Sequence, residues 1–272
     1  MPAPTLTSAP PSLQITAVPL TPQSFAPFGA VIASPFPRDL ATPPSDLSSL
    51  SQRCPHLLAT PVSANQGSAV KISPVTPLAD GYRGACCSGR PAEARMSMFS
   101  CFPRRLRPSS TVPGQAEFDV RILERHPYTT QTFIPLDLSS QTRVLRNADT
   151  DVNGVDAGRA EFEPIYLVIV APSLKGQSAT AISSTGKTVS ISDPPDLSNI
   201  RAFIARGGQA VTYAAGTWHA PMVVLGTRRV DFVVVQYVNG VEDEDCQEAA
   251  FGNGIAVVLR VPGSQEAVKA KL

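Results

Sequence analysis

Three histidines are all the chain carries, and two of them stand among residues that could do chemistry. In Ile122-Leu123-Glu124-Arg125-His126, the alternation of an extended strand puts Glu124 and His126 on one face and Arg125 on the other. Pro127 then bends the chain, and Gln131 follows after four intervening residues. A carboxylate, an imidazole and an amide converging from a strand and its following turn can bind a divalent metal or a small anion. His219 closes a second segment, Gly208-Gln209-Ala210-Val211-Thr212-Tyr213-Ala214-Ala215-Gly216-Thr217-Trp218-His219. His56, beside Pro55 in a proline-rich stretch, reads as an ordinary loop residue.

The elements that must hold these groups are mostly strands. More than half of the 27 prolines fall before residue 81, and the 18 glycines break up much of the remainder, so a helical bundle is excluded. Strand signals lie at Ala69–Ile72, Met96–Phe102, Phe118–Leu123, Gln131–Leu136, Ile165–Ala171, Val211–Tyr213 and Val230–Val238, each short, β-branched or aromatic, and bounded by turn formers. Thr21-Pro22 predicts an N-cap and first helical residue. Asp196 caps a second predicted helix, with Leu197, Ile200 and Ile204 as its stripe and Gly207-Gly208 as its stop. Residues 34–53 read as a long mobile loop, and 139–163 and 173–192 as polar surface insertions. The expectation is one mainly-β domain, a barrel or sandwich, over residues 18–260. A flexible tail is expected at 1–17 and an exposed one at 261–272.

Charge and composition narrow the classes. With 23 Lys+Arg against 22 Asp+Glu, the net charge of +1 gives no global field for nucleic acid or a membrane surface. No apolar run approaches the ~20 residues that span a bilayer, and Met1–Pro11 lacks the pattern of a secretory signal. The five cysteines are scattered without a C-x-x-C pair, which argues against a zinc knuckle or a disulfide framework; vicinal Cys86–Cys87 reads as inert thiols. Arg104-Arg105-x-Arg107 reads as a solvated turn and Glu242-Asp243-Glu244-Asp245 as an acidic turn or helix start without the spacing of a calcium loop.

The spacing Glu124-x-His126-(x)4-Gln131 resembles the first cupin motif, and Gly208-(x)5-Ala214-x-Gly216-x-x-His219 the second, with Glu, Gln and Ala in place of the usual His, Glu and Pro. The wording around these positions is more specific. Leu123-Glu124-Arg125-His126-Pro127, Gln131-x-Phe133-Ile134-Pro135, Pro195-Asp196-Leu197-Ser198, Arg201-Ala202-Phe203-Ile204 and Trp218-His219-x-Pro221 together resemble the ureidoglycolate lyase family. Asn65-Gln66-Gly67 with Lys71, and Pro103-Arg104, are similar to its fungal branch. The resemblance implies a cupin-like β-barrel, a homodimer, and cleavage of ureidoglycolate into glyoxylate and urea in purine breakdown. Bacterial relatives carry a second His where this chain has Ala214 and another where it has Ala220, and often an Arg at the position of Ser100, so the substrate anion needs a different partner here.

Under that resemblance, His126, His219, Glu124, Gln131 and Lys71 are the expected catalytic group, and Asn65, Tyr213 and Trp218 the expected substrate contacts. A divalent metal on Glu124, neutral His126, Gln131 and neutral His219 would leave a site of net charge +1, matched to a monoanion. Without metal, His126 and His219 divide the acid and base roles and Lys71 takes the carboxylate. An amidohydrolase releasing ammonia, and a non-catalytic cupin binding small carboxylates, are the alternatives. The C-terminal Ala270-Lys271-Leu272 resembles a peroxisomal address, so the chain is expected in peroxisomes or, failing that, in the cytoplasm.

Overall fold

The computed structural model describes residues 2–8, 12–37, 40–109, 111–113, 115–136, 164–206, 208–225 and 228–259. The expected insertion at 139–163, the tail at 261–272 and the tripeptide Ala270-Lys271-Leu272 lie outside them. The chain opens with β1 (Thr5–Leu6), β2 (Leu13–Thr16) and β3 (Val18–Pro19), then α1 (Pro22–Phe25) and β4 (Gly29–Ile32). After α2 (Ser48–Arg53) come β5 (Val62–Ala64), β6 (Ala69–Lys71), β7 (Glu93–Cys101), β8 (Arg107–Pro108), β9 (Ala116–Arg125) and β10 (Gln131–Pro135). Next are β11 (Pro164–Ala171), β12 (Ser178–Ile182), β13 (Thr188–Ser192), β14 (Arg201–Arg206), β15 (Ala210–Tyr213), β16 (Trp218–His219) and β17 (Val223–Val224). The described chain ends with β18 (Val230–Val238), α3 (Glu242–Asp245) and β19 (Gln247–Leu259).

Two large sheets carry the fold. The first runs β13-β12-β1-β19-β9-β16-β11-β14-β3, with β2, β8 and β17 paired beside this path. The second runs β4-β15-β10-β18-β7. Tyr166, Val168 and Val170 of β11 meet Phe133, Val211, Tyr213, Phe232 and Val234 of the second sheet in one apolar cluster. The intervening Leu167, Ile169 and Ala171 enter another cluster with Trp218, Leu123, Ala249 and Val257. β11 is buried on both faces, which is why its sequence is a continuous apolar run rather than an alternation. The architecture is a mainly-β, cupin-like fold in which neither sheet order closes on itself.

Four expectations need correction. The stretch from Asp196 is not a helix: a single 3₁₀ turn at Leu197–Asn199, capped by Asp196, leads into β14. Ile200 and Ala202 enter one cluster and Phe203 and Ala205 the other, so burial on both faces hid the strand's period of two. The N-terminal stretch is not a free tail, because Leu13–Thr16 pairs in parallel with Ile255–Val258 and Leu6 is buried. The 34–53 stretch contains α2, whose Leu50 is buried. Residues 173–192 form the β12–β13 hairpin, with Ala181 and Ile191 turned into the core. β19 gave no strand signal because Gly252-Asn253-Gly254 reads as a turn; the structure absorbs it as a register shift between Ala250 and Ile255. Thr21 caps α1 as expected, through a reciprocal pair of bonds with Ser24.

Candidate functional site

β9 belongs to the first sheet and β10 to the second, and Pro127–Thr130 turns the corner between them. Glu124 and His126 therefore sit at the end of one sheet and Gln131 at the start of the other. His219 arrives on β16, directly opposite Glu124 in the antiparallel register. The ligand atoms of Glu124, His126 and His219 all lie within 4.8 Å of one another. Gln131 joins them, with its Oε1 3.0 Å from His219 Nε2. Glu124 Oε1 is 3.4 Å from the same nitrogen.

The hydrogen bonds fix the histidine tautomers. His126 Nδ1 lies 2.6 Å from the Asp245 carbonyl, and His219 Nδ1 lies 3.0 Å from the Thr217 carbonyl. A carbonyl only accepts, so each Nδ1 carries the proton; this leaves His126 Nε2 with a lone pair, while His219 Nε2 faces the Gln131 and Glu124 oxygens. Gln131 donates its Nε2 to Gln236 Oε1 at 2.6 Å, which leaves its own oxygen facing His219. His126 Nε2 is buried and has no hydrogen-bond partner among the described residues. A carboxylate oxygen, an amide oxygen and two imidazole Nε2 atoms thus converge. A proton on His219 Nε2 or a bound cation reconciles this set, and the carbonyls behind each imidazole are the outer support that metal-binding histidines use. The donor types fit a divalent ion.

Burial raises the Glu124 carboxyl, but its bond to His219 and the fields of His219 and His126 outweigh that and hold it below the ordinary carboxylate range. Burial and the neighbouring His219 lower His126, against the opposing pull of the Asp245 carbonyl. Both effects favour anionic Glu124 and neutral His126.

The other expected residues fall elsewhere. Tyr213 is a core residue; its ring stacks on His219 with centroids 3.9 Å apart and planes 10° from parallel, backing the imidazole. Trp218, next to His219 on a strand, points to the opposite face and donates its Nε1 to the Asp193 carbonyl. Asn65 and Lys71 belong to the separate β5–β6 sheet, Asn65 in the turn between its strands. A cleft of about 320 Å³ leads to Glu124, walled by Phe99, Phe133, Pro221 and Met222, with Arg104 at its side; Asn65 and Lys71 are not among its lining residues.

Sequence reasoning missed three contributors. Gln236 orients Gln131 from a strand with no distinguishing motif. The Asp245 carbonyl orients His126, and side chains on both neighbouring segments hold α3 in place behind it. Glu244 accepts from Ser88 and Asn239, and Asp245 from the Tyr82 hydroxyl and two backbone amides. No residue type announces a backbone acceptor. Arg104 was legible as a cation, but its place in the cleft was not.

A cupin-like β fold with a buried histidine–carboxylate–amide cluster that reaches a largely apolar cleft through Glu124 is the class these features define. The family model described as ureidoglycolate lyase matches residues 12–258, and the chain belongs to that family. It is similar to the ureidoglycolate lyase of Schizosaccharomyces pombe, with 29% identity over 91% of this chain and 97% of the relative. The ureidoglycolate lyase of Saccharomyces cerevisiae is 28% identical over 90% of this chain and 98% of its own length. That of Burkholderia mallei is 33% identical, over 45% of this chain and 46% of its own.

Proposed function

We propose that this chain splits ureidoglycolate into glyoxylate and urea. The observation that carries the reading is the buried cluster of Glu124, His126, Gln131 and His219, of which Glu124 lines the cleft, in a chain of this family. The substrate carbon bears a hydroxyl, a carboxylate and a urea nitrogen. Elimination removes the hydroxyl proton as the C=O bond forms, breaks the C–N bond, and returns a proton to the departing nitrogen. His126, kept neutral with an unpartnered Nε2 lone pair, is suited to accept the hydroxyl proton. A proton held on His219 Nε2 between Gln131 and Glu124 is suited to be returned. A divalent cation held by Glu124, His126 and His219, with Gln131 as a neutral fourth donor, would acidify the substrate hydroxyl when bound.

The test is product analysis with purified protein, before and after treatment with a chelator. Stoichiometric urea and glyoxylate without ammonia is the expected outcome. Ammonia release would mark an amidohydrolase instead, and unchanged substrate a binding protein. Loss of activity on chelation, restored by one divalent ion, would assign the cluster to metal.

We also propose that the chain works as a homodimer through the outer face of the second sheet. Met98, Val233 and Ile134 form a cross-strand apolar row there, beside Met96 paired with Val235. Met96 and Met98 are 72% and 64% exposed, which is unusual for side chains of this kind in a row. A two-fold copy laid on the same face would cover the row with itself. Met98→Lys is expected to shift the sedimentation coefficient from dimer to monomer; a wild-type monomer at micromolar concentration would remove the proposal.

A further inference from the structure

The cleft holds one anion and one cation among its described lining residues, Glu124 and Arg104. A carboxylate entering a partly apolar cleft is drawn toward its cationic lining residue. The other described arginines with a nearby carboxylate are already engaged: Arg107 with Asp119 and Glu117, Arg125 with Asp193, Arg229 with Asp231. No carboxylate among the described residues pairs with Arg104.

Its mounting is rigid at the base and open at the tip. The Arg104 backbone N–H donates to the Val224 carbonyl at 3.0 Å, and Pro103 bridges Val224, so the start of the side chain is pinned to β17. The guanidinium carbon lies over the Phe118 ring, 5.4 Å from its centroid. A guanidinium held over an aromatic face still has N–H donors to offer a planar, two-point partner.

We propose that Arg104 binds the substrate carboxylate, holding it away from Glu124 so that the carbinol hydroxyl is delivered to the histidine cluster. This assignment rests on the ureidoglycolate reading. It also supplies the anion partner that Ser100 lacks, and it makes Arg104 the residue that selects carboxylated carbinolamides over uncharged ones.

The test uses two substrates. N-(Hydroxymethyl)urea has the same hydroxyl and urea nitrogen but no carboxylate, and splits into formaldehyde and urea with the same loss and gain of a proton. In Arg104→Ala, kcat/KM for ureidoglycolate should fall about 100-fold, mainly through KM, the scale of a charge-assisted two-point contact. Cleavage of N-(hydroxymethyl)urea should stay within two-fold, which also shows that the variant is folded. Arg104→Lys, keeping charge but not the fork, should fall between. Equal losses on both substrates, or ureidoglycolate kinetics within three-fold of wild type, would overturn the assignment. Calorimetric titration with glyoxylate separates the two proposals, since it reads carboxylate recognition without turnover. Glyoxylate binding that disappears in Arg104→Ala, in a wild type that forms no urea, would sustain Arg104 and sink the lyase reading. Urea formation with glyoxylate binding indifferent to Arg104 would do the reverse, and a wild type that binds no glyoxylate would count against Arg104 as well.

Discussion

Neighbouring residues on β9 and β16 show two opposite ways of burying polar groups. Arg125 and Trp218 face one side, Glu124 and His219 the other. On the first side every group is answered. Arg125 donates twice to Gln247 Oε1, at 2.9 and 2.7 Å, and once to the Ser192 carbonyl at 2.9 Å. It also lies 3.5 Å from Asp193 and covers the Trp218 ring, whose N–H is itself bonded. On the second side, acceptors face acceptors and one imidazole nitrogen has no partner. A saturated polar network fastens the fold. An unsaturated one, propped by outer bonds that keep it so, stores the capacity to bind a proton, a cation or a substrate.

That contrast can be broken from either side. The largest effect is expected at the unsaturated face: His126→Ala and His219→Ala should each lower turnover at least ~100-fold, with urea denaturation midpoints near wild type. Near-normal kinetics in either variant would remove that histidine from the site. Arg125→Met should act in the opposite sense, costing about 2–4 kcal/mol of stability by stranding Gln247, Ser192 and Asp193, with kcat preserved in the folded fraction. Equal damage to both properties would erase the distinction between the faces.

Gln236→Leu is expected to have an intermediate effect. It frees Gln131 to rotate, and we expect kcat/KM to fall about ten-fold, the worth of one mispositioned hydrogen bond, without a shift in melting temperature. The smallest effect is expected at α3. Glu244 is held well below its ordinary range, first by the Ser88 hydroxyl and then by Asn239, against the upward push of burial. A depressed carboxyl stabilises the fold above its unfolded pKa of about 4.5, and that contribution drains away as pH falls toward about 2. Glu244→Gln should therefore flatten the acid limb of stability below pH 4.5 and leave pH 7 turnover almost unchanged. An acid limb identical to wild type would show that Glu244 is not held as described.

What could be read beforehand followed a physical division. β11 and β18 advertised themselves by β-branched composition and bounding turns, β11 although both its faces are buried. β14 did not, because Ile204 is its one β-branched residue and Leu197, Ile200 and Ile204 fall at a helical spacing by coincidence. The clustered side chains were legible because side-chain chemistry is written in residue identity: Glu124, His126, Gln131 and His219 were all singled out, and the fold brings them together. Their supports were not legible. The Asp245 and Thr217 carbonyls belong to the backbone, which every residue has, and Gln236 matters only through its place opposite Gln131. Arg104 was visible as a charge but not as a neighbour of Glu124, since their meeting depends on how the segment after β7 returns against β17.

The N-terminal strands draw a further consequence from β19. β1 and β2 both lie in parallel beside it, while its other edge belongs to β9. A ribosome delivers the β1 and β2 residues first and their shared partner after all the other described strands. Until then, β1 has only β12 to pair with, β2 lacks its ladder, and the first sheet is open along its middle. Closure is therefore a late event in the life of the nascent chain, governed by contacts about 240 residues apart in sequence and correspondingly slow. The prolines crowded around those early strands suit the wait, because a segment that cannot donate a full ladder of hydrogen bonds is a poor template for the wrong neighbour.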